Sequence, residues 1–565
     1  MKSDQVTAVL DVFICADVQA TGTISIPGKG WSQNFTVTAN STTTVSIDPA
    51  QALPLGVGIE DMAILLTSDV DVHVYARNYL SKVSDASIVL PTSGLGSEYF
   101  VTCYNPAITF GTKAAEFIIV ATEDNTLVNI TPTATITPGA SAGNTYSITL
   151  NKGQLYQAQS YGNLTGTFIE VDPGQGNKPI AVYGGNENVK VGGCQYYDHL
   201  YDAMIPLSVW GKEYIGVPFK NRLGDEFIVV ASEDGTNIEI GGSTQNLDRG
   251  ESYLYFSDST HFVCSDKDIS FTQFCRGYEC DNMDGDPLMI VQSSLDQSLK
   301  DISFNAFTST TITNYYVNVI CPNSILTELF LDGADISSQL IPLASNISYS
   351  YAKLDITSGN HNLSSNKGII AWVYGLGVRE SYGYSAGHSL KNSLVDDYEA
   401  IGANASLCAG HSIQFNEILV SEAIGMFWDF GNQTTSTELN PLTTYELSGS
   451  YDVTLIVERK CKYDTIVKTI EVEDCLGNLW VPTAFSPNND GVNDLLYVRG
   501  TTIDDFLFRL YDRWGRLLFE TNDLSKAWDG SYKDKPVYSD TYIYMLQGTV
   551  NSETYINKGN ITLLR

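Results

Sequence analysis

Glu116-Phe117-Ile118-Ile119-Val120-Ala121-Thr122-Glu123-Asp124-Asn125-Thr126 returns further along the chain as Glu226-Phe227-Ile228-Val229-Val230-Ala231-Ser232-Glu233-Asp234-Gly235-Thr236. Each copy is a run of β-branched and aromatic residues that enters an Asp-Asn or Asp-Gly pair. It leaves through a second alternating run, Val128-Asn129-Ile130 or Ile238-Glu239-Ile240. Alternation with period two marks strands, and Asn or Gly at the turn accepts the positive φ that tight turns demand, so the pattern predicts a hairpin in each copy. The acidic turn residues would also suit a cation, but a turn needs them in any case and is the preferred reading.

A second element recurs around these copies. It reads Asp69-Val70-Asp71-Val72-His73-Val74-Tyr75, then Lys178-Pro179-Ile180-Ala181-Val182-Tyr183. A weaker third copy is Asp266-Lys267-Asp268-Ile269-Ser270-Phe271, and the fourth is Lys367-Gly368-Ile369-Ile370-Ala371-Trp372-Val373-Tyr374. Four closing strands roughly 100 residues apart predict four β-sandwich modules, at 1–90, 91–203, 204–290 and 291–393. Propeller blades are shorter, which makes a propeller the less favoured arrangement. Two more segments, 401–475 and 479–565, complete an all-β chain of tandem Ig-like sandwiches. A chain of 565 residues is too long for one core, and 33 Tyr and 47 Gly against 7 Met favour strands and turns.

The formal charge of −33, from 65 Asp+Glu against 32 Lys+Arg, excludes a nucleic-acid or anionic-membrane partner, which would need clustered cations. Such a surface suits an extracellular protein and invites divalent cations. Ten Cys with six scattered His and no C-x-x-C pair point to disulfides rather than zinc. Cys408 and Cys461 bracket one segment and are the first expected pair, and Cys275 with Cys280 would close a small loop. No span is long and apolar enough to cross a bilayer as a helix. Met1-Lys2-Ser3-Asp4-Gln5 lacks the apolar core of a signal peptide, so an export signal would have been removed or lie outside this numbering.

Three resemblances order the chain. Tyr316-Val317-Asn318-Val319-Ile320-Cys321, Leu331-Asp332-Gly333, Gly359-Asn360-His361-Asn362-Leu363, Val373-Tyr374-Gly375-Leu376-Gly377 and Glu380-Ser381-Tyr382-Gly383-Tyr384-Ser385-Ala386-Gly387 resemble the N-terminal region of IgG-Fc-binding protein, over most of 90–390. That family also occurs in large bacterial surface proteins, and its name licenses no antibody binding here. Phe427-Trp428-Asp429-Phe430-Gly431-Asn432, with Pro441, Tyr445, Gly449 and Tyr451-Asp452-Val453-Thr454-Leu455, resembles a PKD domain, a common extracellular spacer. It departs from that family's usual Trp-Asp-Phe-Gly-Asp-Gly at Asn432 and Gln433.

The last segment opens Leu479-Trp480-Val481-Pro482-Thr483-Ala484-Phe485-Ser486-Pro487-Asn488-Asn489-Asp490-Gly491-Val492-Asn493-Asp494. It continues through Phe508-Arg509-Leu510-Tyr511-Asp512-Arg513-Trp514-Gly515-Arg516 and Ala527-Trp528-Asp529-Gly530 to Gly559-Asn560-Ile561-Thr562-Leu563-Leu564-Arg565. It resembles the gliding-motility-associated C-terminal domain, the type B sorting domain of type IX secretion. The resemblance implies an outer-membrane export machinery as partner and an extracellular or cell-surface location. Its motif falls on Pro482, Phe485, Pro487, Asn488, Asp490, Gly491, Asn493, Asp494, Trp514, Gly515, Trp528, Asp529 and Gly530. Trp480, Phe485, Trp514 and Trp528 are expected to form its core.

Chemistry is sparse. Gly383-Tyr384-Ser385-Ala386-Gly387 fits the G-x-S-x-G nucleophile elbow, but no helix follows, no His-Gly-Gly-Gly precedes it, and the downstream His388 and His411 are poorly placed. No catalytic residue is assigned and no cofactor is expected beyond calcium. Two oxygen-rich loops could take calcium: Asn488, Asp490, Asn493 and Asp494 in one, Asp281, Asp284 and Asp286 in the other. Neither is an EF-hand, and a hydrogen-bonded Asx turn is the preferred reading of both. Tyr196-Tyr197, Tyr315-Tyr316 and Tyr382/Tyr384 could stack on sugars, though Tyr also fills half-buried strands. The sequence thus predicts an adhesin-like surface protein with an extracellular protein or glycan ligand. Its rivals are a self-assembling subunit of a fibre or sheath and a hydrolase using Ser385.

Overall fold

In the computed structural model the chain is described at all residues except 1–8, 55, 107–112, 177, 324–327, 347, 391–396, 402–406, 419–424, 459–460, 462, 474–478, 489–492, 501–503, 534 and 551–552. Strands dominate, and the fold is all-β with tandem sandwiches. The described residues of 1–395 and of 458–463 form one compact unit. Those of 396–418, 425–457 and 464–565 form a second.

The repeated stretch decides how each sandwich is built, but not as a hairpin. Ala115–Ala121 pairs with Leu155–Ser160 and Ile180–Val189, while Thr126–Thr131 pairs with Tyr146–Leu150 and Phe168–Val171 in another sheet. In the later copy, Asp225–Ala231 and Thr236–Ile240 likewise pair with other strands and not with each other. The first turn therefore carries the chain from one sheet across to the other, whereas the later turn links two strands that pair with different stretches of His261–Cys275 within one sheet. Asn125 (φ 53°) and Gly235 (φ 64°) do adopt the left-handed conformation that the residue types predict. Thr126 and Thr236 close the two turns by donating to the carbonyls of Glu123 and Glu233. Lys178 and Lys267, equivalent residues at the closing strands, donate to the carbonyls of Asp124 and Asp234.

The four closing strands, His73–Leu80, Ile180–Val189, His261–Cys275 and Gly359–Gly377, each return through a shorter strand: Val83–Ile88, Asp198–Ala203, Leu288–Val291 and Glu380–Ser385. The four shorter strands pack into a closed ring. Val83–Ile88 lies beside Asp198–Ala203 and Glu380–Ser385, and Leu288–Val291 closes the circle between those two. The modules are thus grouped about one axis rather than strung along a line. One strand also crosses the expected boundary at residue 90, because Gly58–Glu60 pairs with Leu155–Gln157.

The disulfides differ from expectation. Cys280 is bonded to Cys194 and Cys461 to Cys264, while Cys275 is an unbridged, buried thiol. Cys275 ends a strand with its side chain in the core beside Leu288 and Ile290, whereas Cys280 lies on a short helical turn outside that core. Short spacing therefore does not bring their sulfurs together. Cys408 is disulfide-bonded, and its partner lies outside the described residues.

In the second unit, Trp428 is fully buried and its indole donates to the Glu438 carbonyl. The unusual Asn432-Gln433 pair keeps the local turn. The Asn432 carbonyl oxygen accepts from the Thr434 amide and hydroxyl, and Gln433 takes φ 70°.

Candidate functional site

The C-terminal sheet runs in the order Ala484–Phe485, Glu553–Leu563, Thr541–Val550, Asp504–Tyr511 and Leu517–Thr521, and the first pair is parallel. Alternate residues Phe506, Phe508 and Leu510 face a core that includes Phe485, Leu496, Trp528, Leu546, Ile561 and Leu563. Trp528 sits at its centre, 2 % exposed, with its ring 5.3 Å from both Phe485 and Tyr542. Its indole N–H donates to the Ser531 carbonyl at 2.8 Å. Asp529 accepts from the Ser531 amide and hydroxyl, which folds the turn. Gly530 has φ 77°, and a Cβ there would meet Pro487 at 2.9 Å, so the Trp-Asp-Gly triplet is a packing requirement.

The other tryptophans correct the sequence expectation. Trp480 is 55 % and Trp514 is 86 % exposed, so only Phe485 and Trp528 of the four aromatics are core. Trp514 rides on the turn between two strands, where φ of Gly515 is 82°. Asp512 holds that turn rigidly. Its carboxylate accepts from the amides of Trp514 and Arg516, each at 2.9 Å, and from the Arg516 guanidinium. Chiefly the Arg516 amide holds this carboxyl below its ordinary value.

Of the motif's entry loop, Pro482 and Pro487 are half-buried. The Asn488 amide donates to Asp494, and that of Ser486 to the Asn493 carbonyl. Asp490 and Gly491 lie outside the described residues. At the other acidic loop, Asp281, Asp284 and Asp286 gather around Arg222, and the Asp284 carboxylate accepts from Asn314. Asp281 accepts from Arg222 Nε at 2.8 Å, and the Asp284 carbonyl accepts from Arg222 Nη1 at 3.0 Å. The buried guanidinium supplies the positive charge around which this loop folds. The Asp286 carboxyl lies near Arg222, Glu380 and Arg379, and burial pushes it up to about 8.

Ser385 is on a strand, 1 % exposed, and its hydroxyl donates to the Gly387 carbonyl. The neighbouring His388 contacts Ser293 instead, and burial pushes its pKa down to about 4. Ser385 is thus buried rather than on an exposed elbow, and among the described residues no His contacts it. Tyr382 and Tyr384 are core residues. Tyr196 lies under Arg379 and Tyr197 under Lys190.

Within the first unit, two adjoining clefts of about 220 and about 420 Å³ separate the first and fourth sandwiches and share Asn360. Sequence reasoning missed them, since their walls come from residues some 300 positions apart. Asn360 accepts from Thr42 and Asn305, each at 2.5 Å, and so ties the two walls. Arg77, 7 % exposed, is paired with Asp11 at 2.7 Å and lies over Tyr79 and Phe13.

The modules define a class, secreted or surface proteins built from binding-type and sorting domains. The family comparisons specify it. Residues 85–375 match the IgGFc binding protein model, slightly more than half of the chain, and the chain belongs to that family. Residues 397–473 match a PKD domain, and 479–563 match the CHU_C type IX secretion signal domain, which is read by the type IX machinery. The human IgGFc-binding protein is 27 % identical over 220 residues, covering 38 % of this chain and 4 % of its own length. Collagenase ColQ1 of Bacillus cereus (strain Q1) is 45 % identical over 67 residues, 12 % of this chain and 6 % of its own. The chain thus spans only a small fraction of these relatives. Two solved structures, a biofilm associated protein BSP domain and a 1.5-MDa bacterial ice-binding adhesin, align over 87 % and 48 % of this chain and 92 % of each of theirs. Their identities are 10 % and 11 %, and TM-scores of 0.14 and 0.15 carry no argument.

Proposed function

We propose that this is an adhesin-like protein whose first unit binds an extracellular protein or glycan and whose C-terminal module is its export address. The observation that supports this reading is the joining, in one chain, of a closed ring of four sandwiches to a type IX secretion signal domain. A ring of packed strands gives a stiff platform, and the clefts flanking Asn360 are its candidate contact surface. The PKD-like module spaces the platform from the address. In this reading 488–494 is the calcium candidate, tested by melting the full chain in calcium against EDTA.

The test of the address is a chain ending at Gly477, expressed in a type IX-competent host. It should accumulate folded in the periplasm, and its normal display would refute the reading. The test of binding is a glycan and matrix-protein array probed with the full chain, where silence on every class would remove the adhesin assignment.

A further inference from the structure

Two of the exposed aromatics of the signal domain, Trp514 and Tyr538, lie on segments that meet at one residue, while Trp480 lies apart from them. Asp540 joins three segments at one end of the sheet. Its carboxylate accepts from Arg513 and from the Thr541 amide, and its carbonyl accepts from the Leu563 amide at 3.0 Å. Each segment carries a large apolar side chain into solvent beside that junction: Trp514 (86 % exposed), Tyr538 (91 %) and Leu564 (53 %). The loop bearing Tyr538 is fixed further, because the Tyr542 hydroxyl donates to the Tyr538 carbonyl at 2.6 Å.

The Trp514 turn is held by Asp512 as described above. An indole presented from so rigid a base loses little entropy on being buried by a partner, which is the property of an interface anchor. Two cationic side chains, Arg516 and Lys533, lie by the same turn within a strongly acidic chain, Arg516 being paired with Asp512 as Arg513 is with Asp540. The Arg516 guanidinium and Lys533 ammonium both lie against the Tyr532 ring, at 5.2 and 5.4 Å from its centroid. Arg513 and Arg516 side chains are 58 % and 63 % exposed.

We propose that Trp514, Tyr538 and Leu564 form the surface by which the export apparatus reads this chain. The partner is a protein receptor with an apolar pocket for the indole and a carboxylate rim facing Arg516 and Lys533. This rests on the export reading of 479–563 and goes beyond it by assigning the contact. The core motif residues Phe485, Trp528 and Gly530 then serve folding, while Trp514 serves recognition.

The experiment measures surface display and melting of the full chain carrying Trp514→Ala, Tyr538→Ala or Lys533→Glu, with Leu447→Ser, an exposed site in the PKD-like module, as control. Losing an interface anchor of about 1.4 kcal/mol or more lowers receptor occupancy about tenfold. Trp514→Ala should therefore cut display about tenfold with unchanged melting temperature, Lys533→Glu should lower it too, and Leu447→Ser should not. Display of Trp514→Ala at the wild-type level overturns the inference, as does lost display accompanied by a fallen melting temperature, which would make the indole a folding element. Retention of the chain ending at Gly477 alongside normal display of Trp514→Ala would sink this inference alone. Display of both would sink the export reading with it.

Discussion

The Asp85 carboxylate accepts the backbone N–H of Met289 at 3.1 Å, joining the first sandwich to the third across the centre of the ring. The same carboxyl accepts from the amides of Ala86, Tyr201 and Gly383, so one fully buried side chain holds backbone from all four short strands. Asp202 repeats the device, accepting from Val291 N and Ser87 Oγ. Backbone donors left over where strands of different sheets abut find their acceptors here. Asp85→Ala should therefore lower stability by about 3 kcal/mol or more, since each stranded buried donor costs about 1–3 kcal/mol. Urea melts of the full chain check this, and an unchanged midpoint would contradict the bridging role.

The ring should also respond to pH. Burial raises Asp85 and Asp198 well above the ordinary carboxylate range, Asp202 to about 7 and Asp286 to about 8. A carboxyl whose folded-state pKa is raised keeps a proton that the unfolded chain has released. Stability is then fullest below about pH 4 for this term and falls as pH rises to about 7–8, by up to about 1.4 kcal/mol per pH unit for each group. Thermal melts should show a decline from pH 5 to pH 8, and Asp202→Asn should flatten it. A melting temperature that climbs over that range in the wild type would be the wrong sign.

Peptide mapping without reduction should recover Cys194 linked to Cys280 and Cys264 linked to Cys461. Closing loops of this length stabilises by about 4–5 kcal/mol in the chain-entropy model. Burial pushes the Cys15 and Cys321 thiols up to about 12 and Cys103 to about 11. These should resist alkylation until the chain unfolds. Rapid labelling of Cys15 in the native protein would count against this packing.

Ser385→Ala should leave every measured activity unchanged and cost under about 1 kcal/mol, because its hydroxyl makes only a 3.3 Å bond to Gly387. An esterase panel run on wild type and variant decides it.

Local chemistry was legible in the sequence and distant assembly was not. Asn125 and Gly235 sit in the conformation that their residue types predict. Period-two alternation likewise revealed the strands, including the weak third closing strand within His261–Cys275. What alternation cannot say is which sheet a strand joins, so the Asn125 turn read as a hairpin when it crosses between sheets. The Cys264–Cys461 bond and the Thr42–Asn360 contact depend on how modules pack, which no local window contains. Trp514 shows another limit: an indole in a motif reads as core until the neighbouring Asp512 is seen turning it outward.

Trp528 and Trp514 should separate folding from recognition within one module. Trp528→Ala removes a fully enclosed ring from between Phe485 and Tyr542 and strands the Ser531 carbonyl that its indole satisfied. Truncations of buried Trp cost about 3–5 kcal/mol, a large share of what a small sandwich possesses. The C-terminal module should then unfold at a lower temperature and become the first site of limited proteolysis, cut within 479–565 while 1–395 stays intact. Export should fall because the address is unfolded, whereas in Trp514→Ala it should fall with the module protease-resistant. Phe485→Ala should resemble Trp528→Ala, because both rings fill one core. Proteolysis with mass mapping, run beside surface labelling of the same cells, gives both readouts. Protease resistance of Trp528→Ala equal to that of wild type would mean that the aromatic core does not hold this module together.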